Sequence, residues 1–172
     1  MRRMEIVEFG LLSPERRAEL EGDEADPFDA AGDTLLYRRK ERHVAVRDGH
    51  GRLVASTGLV LVEAEVTGER FPVVGLGGVI VAAAHRGRGL AREVVGAALA
   101  RAAELGPAFA LLFCHDDRAG LYRKLGFADV EAEVRVRQAD RYALMRDRTM
   151  WHALRPGASW PPGELAIHSL PF

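Results

Sequence analysis

The sequence predicts an α/β fold in which a mixed, mostly antiparallel β-sheet is flanked by helices. Three observations support it: apolar, β-branched runs joined by tight turns, a helix-periodic stretch from residue 90 to residue 105, and the continuous apolar run Phe109–Phe113. A chain of 172 residues is long enough for one hydrophobic core and needs no second. We therefore treat residues 1–172 as a single domain.

The elements follow from local signals along the chain. Ser13 and Pro14 supply an N-cap and a first-turn proline, and Gly106-Pro107 is a stop signal for the long helix. Turn residues at 48–51 and 67–69 separate three successive strands, which are therefore antiparallel. The predicted elements are strand 5–9, helix 13–20, helix 34–41, strands 43–47, 53–63 and 71–81, helix 90–105, strand 109–113, helix 117–126 and strands 128–136 and 149–154.

The amino-acid composition limits the kinds of binding partner and the cellular compartment that we expect for this protein. The 24 basic and 25 acidic residues leave a formal net charge of -1, which gives no electrostatic case for a nucleic-acid partner. The N-terminal region has no apolar segment long enough for a signal peptide or a membrane span, so we expect a cytoplasmic protein without a membrane partner. Cys114 is the only cysteine, which excludes an internal disulfide and a cysteine pair for zinc; no metal site is predicted.

The most informative segment joins a strand to the long helix at residues 79–91. An apolar β-branched run gives way there to a basic turn containing Gly87 and Gly89. Glycine allows backbone conformations in which successive N–H groups point at one anion, and the start of a helix favours the same anion. A Walker loop is absent, and a dinucleotide fingerprint would need a small residue where the chain has Arg92. An ordinary connection with solvated arginines is the alternative.

Arg86-x-x-Gly89-x-Ala91 resembles the [RQ]xxGx[GA] signature of the GNAT superfamily of acyl-CoA-dependent N-acyltransferases. The resemblance implies the GNAT fold, acetyl-CoA as acyl donor, and a pyrophosphate site on the amides of Arg86, Gly87, Arg88, Gly89, Leu90 and Ala91. A second resemblance is Leu121-Tyr122-Arg123-Lys124-Leu125-Gly126-Phe127, which is similar to the family's Y-x-x-x-GF segment. It implies that Tyr122 is the general acid that protonates the departing sulfur; a packed structural tyrosine is the alternative.

The same resemblance assigns a backbone role to the strand before the loop. In the family the fourth and fifth strands splay apart, which frees amides that fall here on Val79, Ile80 and Val81. These amides would bind the pantetheine and polarise the thioester carbonyl. A strand fully bonded to its neighbour is the alternative.

The general base is not evident from the sequence. The 2'-acting aminoglycoside N-acetyltransferases, which the chain resembles distantly in length, in core layout and in its Leu-Pro ending, place a glutamate where Gly77 aligns. The remaining candidates are Glu63, Glu65, His115, Asp116 and the carboxylate of Phe172. We expect Cys114 to be a buried apolar residue rather than a nucleophile. We expect Asp116 and Asp117 to cap the following helix.

These features predict an enzyme that transfers an acetyl group from CoA to a primary amine of a small molecule. Residues 21–33 carry six acids and no base, which favours a cationic acceptor. The aromatic, proline-rich tail would cover its own sheet, close over the acceptor cleft, or pack against a second subunit in a homodimer. Two rival functions remain: a non-catalytic acyl-CoA-binding or regulatory module, which the missing glutamate favours, and a dinucleotide-binding protein, which Arg92 opposes.

Overall fold

The computed structural model describes residues 3–172, which form ten β-strands and three α-helices. The strands are β1 (Glu5–Phe9), β2 (Arg42–Arg47), β3 (Leu53–Val66), β4 (Glu69–Val81), β5 (Phe109–Cys114), β6 (Ala128–Asp129), β7 (Val134–Arg137), β8 (Tyr142–Leu144), β9 (Arg148–Ala153) and β10 (Leu165–Ile167). The α-helices are α1 (Pro14–Glu21), α2 (Leu90–Glu104) and α3 (Ala119–Lys124), with 3-10 turns at Ala83–His85 and Asp116–Arg118.

All ten strands belong to one mixed sheet. Its order is β6-β9-β5-β4-β3-β10-β7-β8, and β1 pairs with β2, which pairs with β3. The long strand β3 therefore has two neighbours on one edge, β2 near its start and β10 near its end. Most pairs are antiparallel, but β4–β5 and β7–β10 are parallel. The predicted α/β architecture is confirmed.

The helices cover opposite faces of this sheet because successive strand residues point in opposite directions. Val44 and Val46 of β2 share a buried cluster with Val94, Val95 and Ala98 of α2. Ala45, between those two valines, packs instead with Leu20 of α1. Between residues 3 and 172 no helix is long and apolar enough to cross a membrane.

Local signals placed most elements within a few residues. Strand β1 has the predicted bounds, and α1 begins as predicted: Pro14 occupies its first turn, and Ser13 Oγ accepts a hydrogen bond of 3.2 Å from the Arg16 N–H. Helix α2 begins at Leu90 as predicted, with Gly89 before it. The three antiparallel strands β2, β3 and β4 are also confirmed.

The predicted helix at 34–41 is wrong, because that segment has no regular secondary structure. Long-range hydrogen bonds hold it instead. The Arg38 N–H donates to the Pro171 carbonyl at 2.6 Å, and the Leu36 N–H donates to the Gln138 side chain at 2.9 Å. These partners are more than 100 residues away in sequence, so local periodicity could not reveal them.

Three further expectations need correction. The predicted strand 128–136 is two strands, since β6 pairs with β9 whereas β7 pairs with β8 and β10. Strands β8 and β10 were not predicted, and β10 takes the tail into the sheet between β3 and β7. No aspartate caps a helix after β5, because the Asp116 carboxylate bonds the Arg148 guanidinium at 3.0 Å.

Candidate active site

The loop at 86–91 has the backbone geometry that the sequence suggested. Gly87 and Gly89 have φ values of 76° and 77°, in the left-handed region that favours glycine. The first hydrogen bond of α2 runs from the Glu93 N–H to the Gly89 carbonyl at 3.1 Å. Within residues 3–172 the N–H groups of residues 87–92 donate no hydrogen bond of normal geometry to a protein acceptor. The helix start therefore presents unpaired donors to an anion.

Arg86 is held in place on two sides of this loop. Its Nε donates to the Val81 carbonyl at 3.1 Å, and its terminal nitrogen forms an ion pair with Glu24. The first contact ties the loop to the end of β4. The second brings the segment after α1 against the loop.

Strand β4 separates from β5 before it reaches the loop. The two strands pair only over Val74–Leu76 and Ala110–Leu112. Beyond Leu76, the edge of β4 that faces β5 has no strand partner among residues 3–172. The register against β3 also shifts between Ser56 and Gly58, and Gly78, on β4 opposite this irregularity, has a φ of 65°. The predicted splay is present, and Val79, Ile80 and Val81 follow it.

A cavity of about 1050 Å³ opens at this splay. Residues 77–80 of β4 line it, as do Tyr122, Cys114 and Phe172, whereas residues 86–91 do not. The cavity therefore covers the region where β4 and β5 part, with the glycine loop outside it. Both acidic and basic side chains line the cavity. The acidic ones are Glu21, Asp29, Asp33 and Asp147, and the basic ones are Arg17, Lys40, Arg118, Arg141 and Arg146.

Tyr122 lies on α3 and is 5% exposed. Its ring contacts Phe127 edge-on, with 5.8 Å between ring centroids. Burial raises the pKa of Tyr122 to about 12, with a smaller contribution from Cys114, so the phenol keeps its proton at neutral pH. Its hydroxyl has no hydrogen-bond partner in the described part of the chain, although the residue lines the cavity. The side chain can therefore donate a proton to a bound group.

Of the base candidates, Glu63 and Glu65 lie outside the cavity, where both bond Arg70, at 2.9 and 3.0 Å. His115 lines the cavity, but its Nδ1 lies 3.3 Å from Asp147. Phe172 lies beside Gly77: a Cβ built on that glycine would be 2.4 Å from the Phe172 carbonyl carbon. Burial raises the pKa of Cys114 to about 11, which fits the buried, unreactive role expected for it.

Two cavity residues were missed by sequence reasoning. His43 is 8% exposed, and its Nδ1 lies 2.6 Å from the Gly10 carbonyl. Lys40 lies against Gly58 and Gly77. The only sequence signal for Lys40 is its rarity, because lysine occurs at two positions among the 24 basic residues.

Comparison with known proteins decides the family. The model of the acetyltransferase (GNAT) domain matches residues 22–130, which include the glycine loop and Tyr122. This chain belongs to the GNAT acetyltransferase family. It is therefore an acyl-CoA-dependent acetyltransferase, with acetyl-CoA as donor. No curated protein sequence matches this GNAT chain.

Solved structures agree with the fold. The GNAT family N-acetyltransferase YhbS from Escherichia coli, solved with CoA, is 22% identical with a TM-score of 0.64; the match covers 98% of this chain and 91% of YhbS. A GNAT family acetyltransferase from Brucella melitensis, solved with acetyl-CoA, is 18% identical with a TM-score of 0.59, over 96% of each chain. A Klebsiella pneumoniae protein of the acyl-CoA N-acyltransferase type is 18% identical with a TM-score of 0.61, over 88% of this chain and 98% of that one. At these identities the likeness extends to fold alone.

Proposed function

We propose that this GNAT domain, spanning residues 1–172, transfers the acetyl group of acetyl-CoA to a primary amine of a small molecule by direct attack. The observation that carries the proposal is the single cavity that joins the splayed end of β4 to Tyr122. A thioester at the splay would lie beside both backbone donors and a protonated phenol. An amine entering the same cavity would reach the carbonyl carbon without a covalent enzyme intermediate.

The donor would lie along β4 and the start of α2. The unpaired amides of residues 87–92 and the positive end of α2 suit the pyrophosphate, with Arg86 beside them. Of the predicted amides, those of Val79 and Val81 suit the pantetheine and the thioester carbonyl, since the β5 side of β4 is open there. The Ile80 amide faces β3, because it lies two residues before the Ala82 N–H, which donates to the Val54 carbonyl of β3. Charge that develops on the carbonyl oxygen would be stabilised by such fixed donors.

Tyr122 would protonate the sulfur as the tetrahedral intermediate collapses. A free thiol has a pKa near 8.5, well below that of this buried phenol, so proton transfer to the sulfur is unfavourable by itself. It would be coupled to the proton that the attacking nitrogen of the tetrahedral intermediate returns to the phenolate. The hydroxyl without a protein partner supports this role, because a structural tyrosine at the same burial normally bonds one.

A positive charge on the acceptor is proposed because acidic residues line the cavity. Asp29 and Asp33 line the cavity, whereas Asp23, Glu24 and Asp26 of the same acidic segment do not. Glu24 pairs with Arg86, and Asp26 accepts from the Ala30 and Ala31 N–H groups at 2.8 and 3.0 Å. Only part of the segment can therefore attract an acceptor. We propose a substrate whose ammonium group enters past Asp29 and Asp33.

The test is release of free CoA thiol from acetyl-CoA in the presence of a panel of amines. The panel includes aminoglycosides, polyamines, amino acids and peptides with free N-termini, with a tertiary amine as the blank. We expect turnover with cationic primary amines. Asp29→Asn should raise the KM for that amine and leave the KM for acetyl-CoA unchanged, and asparagine tolerates the positive φ of 52° at this position.

Asp23→Asn is the matched control, because Asp23 belongs to the same acidic segment but lies outside the cavity. Equal effects of the two variants would remove the specific role of Asp29. Binding of CoA without thiol release from any amine would overturn the proposed reaction.

A further inference from the structure

The Lys40 side chain lies in a channel that three glycines leave open. A Cβ built on Gly58 of β3 would lie 2.4 Å from the lysine Cγ, and a Cβ built on Gly77 of β4 would lie 2.9 Å from its Cε. Its Nζ lies 3.9 Å from the position of a Cβ on Gly78. Side chains at 58 or 77 would close the channel. The lysine thus crosses from β3 to β4 and ends beside the splay.

The ammonium nitrogen of Lys40 has no carboxylate within ion-pair distance in the described part of the chain. Within residues 3–172 it forms no hydrogen bond and no ion pair. The charged or titratable groups that face it are Arg17 from α1, whose guanidinium bonds Glu21 at 3.1 Å, and His43 from β2. Glycines of β3 and β4 lie against the lysine stem, and the main chain of Phe172, with its carboxylate, lies against Gly77 beside the Lys40 Cε. Burial, with a smaller contribution from Arg17, lowers the pKa of Lys40, so its ammonium group gives up a proton more readily than that of a solvated lysine.

Lys40 reaches the place where a base is needed. Gly77 lies on β4 directly after Leu76, where the pairing of β4 with β5 ends, and it carries no side chain. The Lys40 stem lies over this glycine, and Lys40 lines the same cavity as Tyr122. An amine acceptor in that cavity would meet Lys40 on one side of the thioester and the phenol on the other.

We propose that Lys40, in its neutral form, is the general base that removes a proton from the acceptor ammonium; this role rests on the proposed function above. One proton passes from the acceptor ammonium to Lys40 Nζ. The amine lone pair then forms the C–N bond, and the C–S bond breaks as Tyr122 gives its proton to sulfur. The second proton lost by the nitrogen restores Tyr122, and the proton on Lys40 passes to solvent.

The kinetic test uses Lys40→Met and Lys40→Arg, with Lys124→Met as control because Lys124 is the other lysine and is exposed. We expect kcat/KM for the best alkylammonium acceptor of the panel to fall by about 10²-fold in both Lys40 variants, since methionine and arginine cannot act as bases at neutral pH. Hydroxylamine is already unprotonated at neutral pH. With hydroxylamine as acceptor the loss should be much smaller.

The pH dependence of kcat/KM distinguishes Lys40 from a carboxylate as the general base. In the wild type kcat/KM should rise with pH along a limb that disappears in Lys40→Met. A limb with its midpoint near about 4 would identify a carboxylate as the base and overturn the proposal. Full activity of Lys40→Arg would also overturn it, because positive charge alone would then be sufficient.

A second measurement needs neither an acceptor nor a variant. Acetic anhydride labels only unprotonated amines, and peptide mass spectrometry resolves Lys40 from Lys124. We expect Lys40 to reach its half-maximal labelling rate at a lower pH than free Nα-acetyl-lysine does. Labelling of Lys40 at the pH of the free compound would overturn the base assignment. Absence of thiol release by the wild type with every amine would instead overturn the proposed reaction.

Discussion

The main chain of Phe172 occupies the space that a side chain at Gly77 would need. A Cβ there would lie 2.4 Å from the Phe172 carbonyl carbon and 2.7 Å from its oxygen, and the phenylalanine ring fills the corresponding space at Gly75. The two glycines of β4 therefore accommodate the last residue of the sequence. A side chain at position 77 would displace both Phe172 and Lys40.

Gly77→Ala should consequently destabilise the fold. The added methyl group meets main-chain atoms that cannot rotate away, so we expect the free energy of unfolding to fall by about 1–3 kcal/mol. Urea denaturation followed by circular dichroism measures the change. Gly120→Ala is the control, because its Cβ would have no atom within 4 Å. Equal stability of the two variants would contradict the close contact.

Gly89→Val should weaken CoA binding. Gly89 has a φ of 77° directly before α2, so a β-branched residue would strain the loop and move its donors, although no atom lies within 4 Å of the new Cβ. We expect the Kd for CoA to rise at least about tenfold, equivalent to about 1.4 kcal/mol, by calorimetry. Gly96→Ala, within α2 and with open space around it, should leave the Kd unchanged. An unaltered Kd for Gly89→Val would remove the loop from the donor site.

The sequence was sufficient for those parts of the fold and site that depend on local signals. Strand β1, the start of α2 and the left-handed glycines at 87 and 89 each follow from residues within one turn or strand. Contacts between segments that are far apart in the sequence could not be predicted from such local signals. The segment 34–41 was predicted to be a helix, yet it has no regular secondary structure and its hydrogen-bond partners are Pro171 and Gln138. This path places Lys40 in the glycine channel. The acceptor side of the site is built from such contacts.

Stability should depend on pH through His43. Burial lowers the pKa of His43 below its usual value of about 6.5, with Lys40 and Arg17 adding to the effect, although its contact with the Gly10 carbonyl opposes the shift. The unfolded chain therefore binds the proton more readily. The resulting stabilisation is present above about pH 6.5 and is lost as the pH falls below it. His43→Gln should flatten the dependence of Tm on pH between about 5 and 7. An unchanged slope would mean that the pKa of His43 is the same in the folded and the unfolded chain, which would contradict the effect of burial.

Tyr122→Phe isolates the hydroxyl from the ring. The ring's contact with Phe127 and its burial among the α2 residues remain, so the fold and the Kd for CoA should be preserved. We expect kcat to fall by roughly 10²-fold with little change in the KM for acetyl-CoA, because a general acid acts mainly in the transition state. The loss should shrink with acyl donors whose thiol leaving group has a low pKa, since such a thiolate needs no proton to depart.

Tyr142→Phe, which removes the hydroxyl 2.6 Å from His168 outside the cavity, is the matched control and should keep full activity. An equal loss with every leaving group would assign Tyr122 to substrate positioning instead.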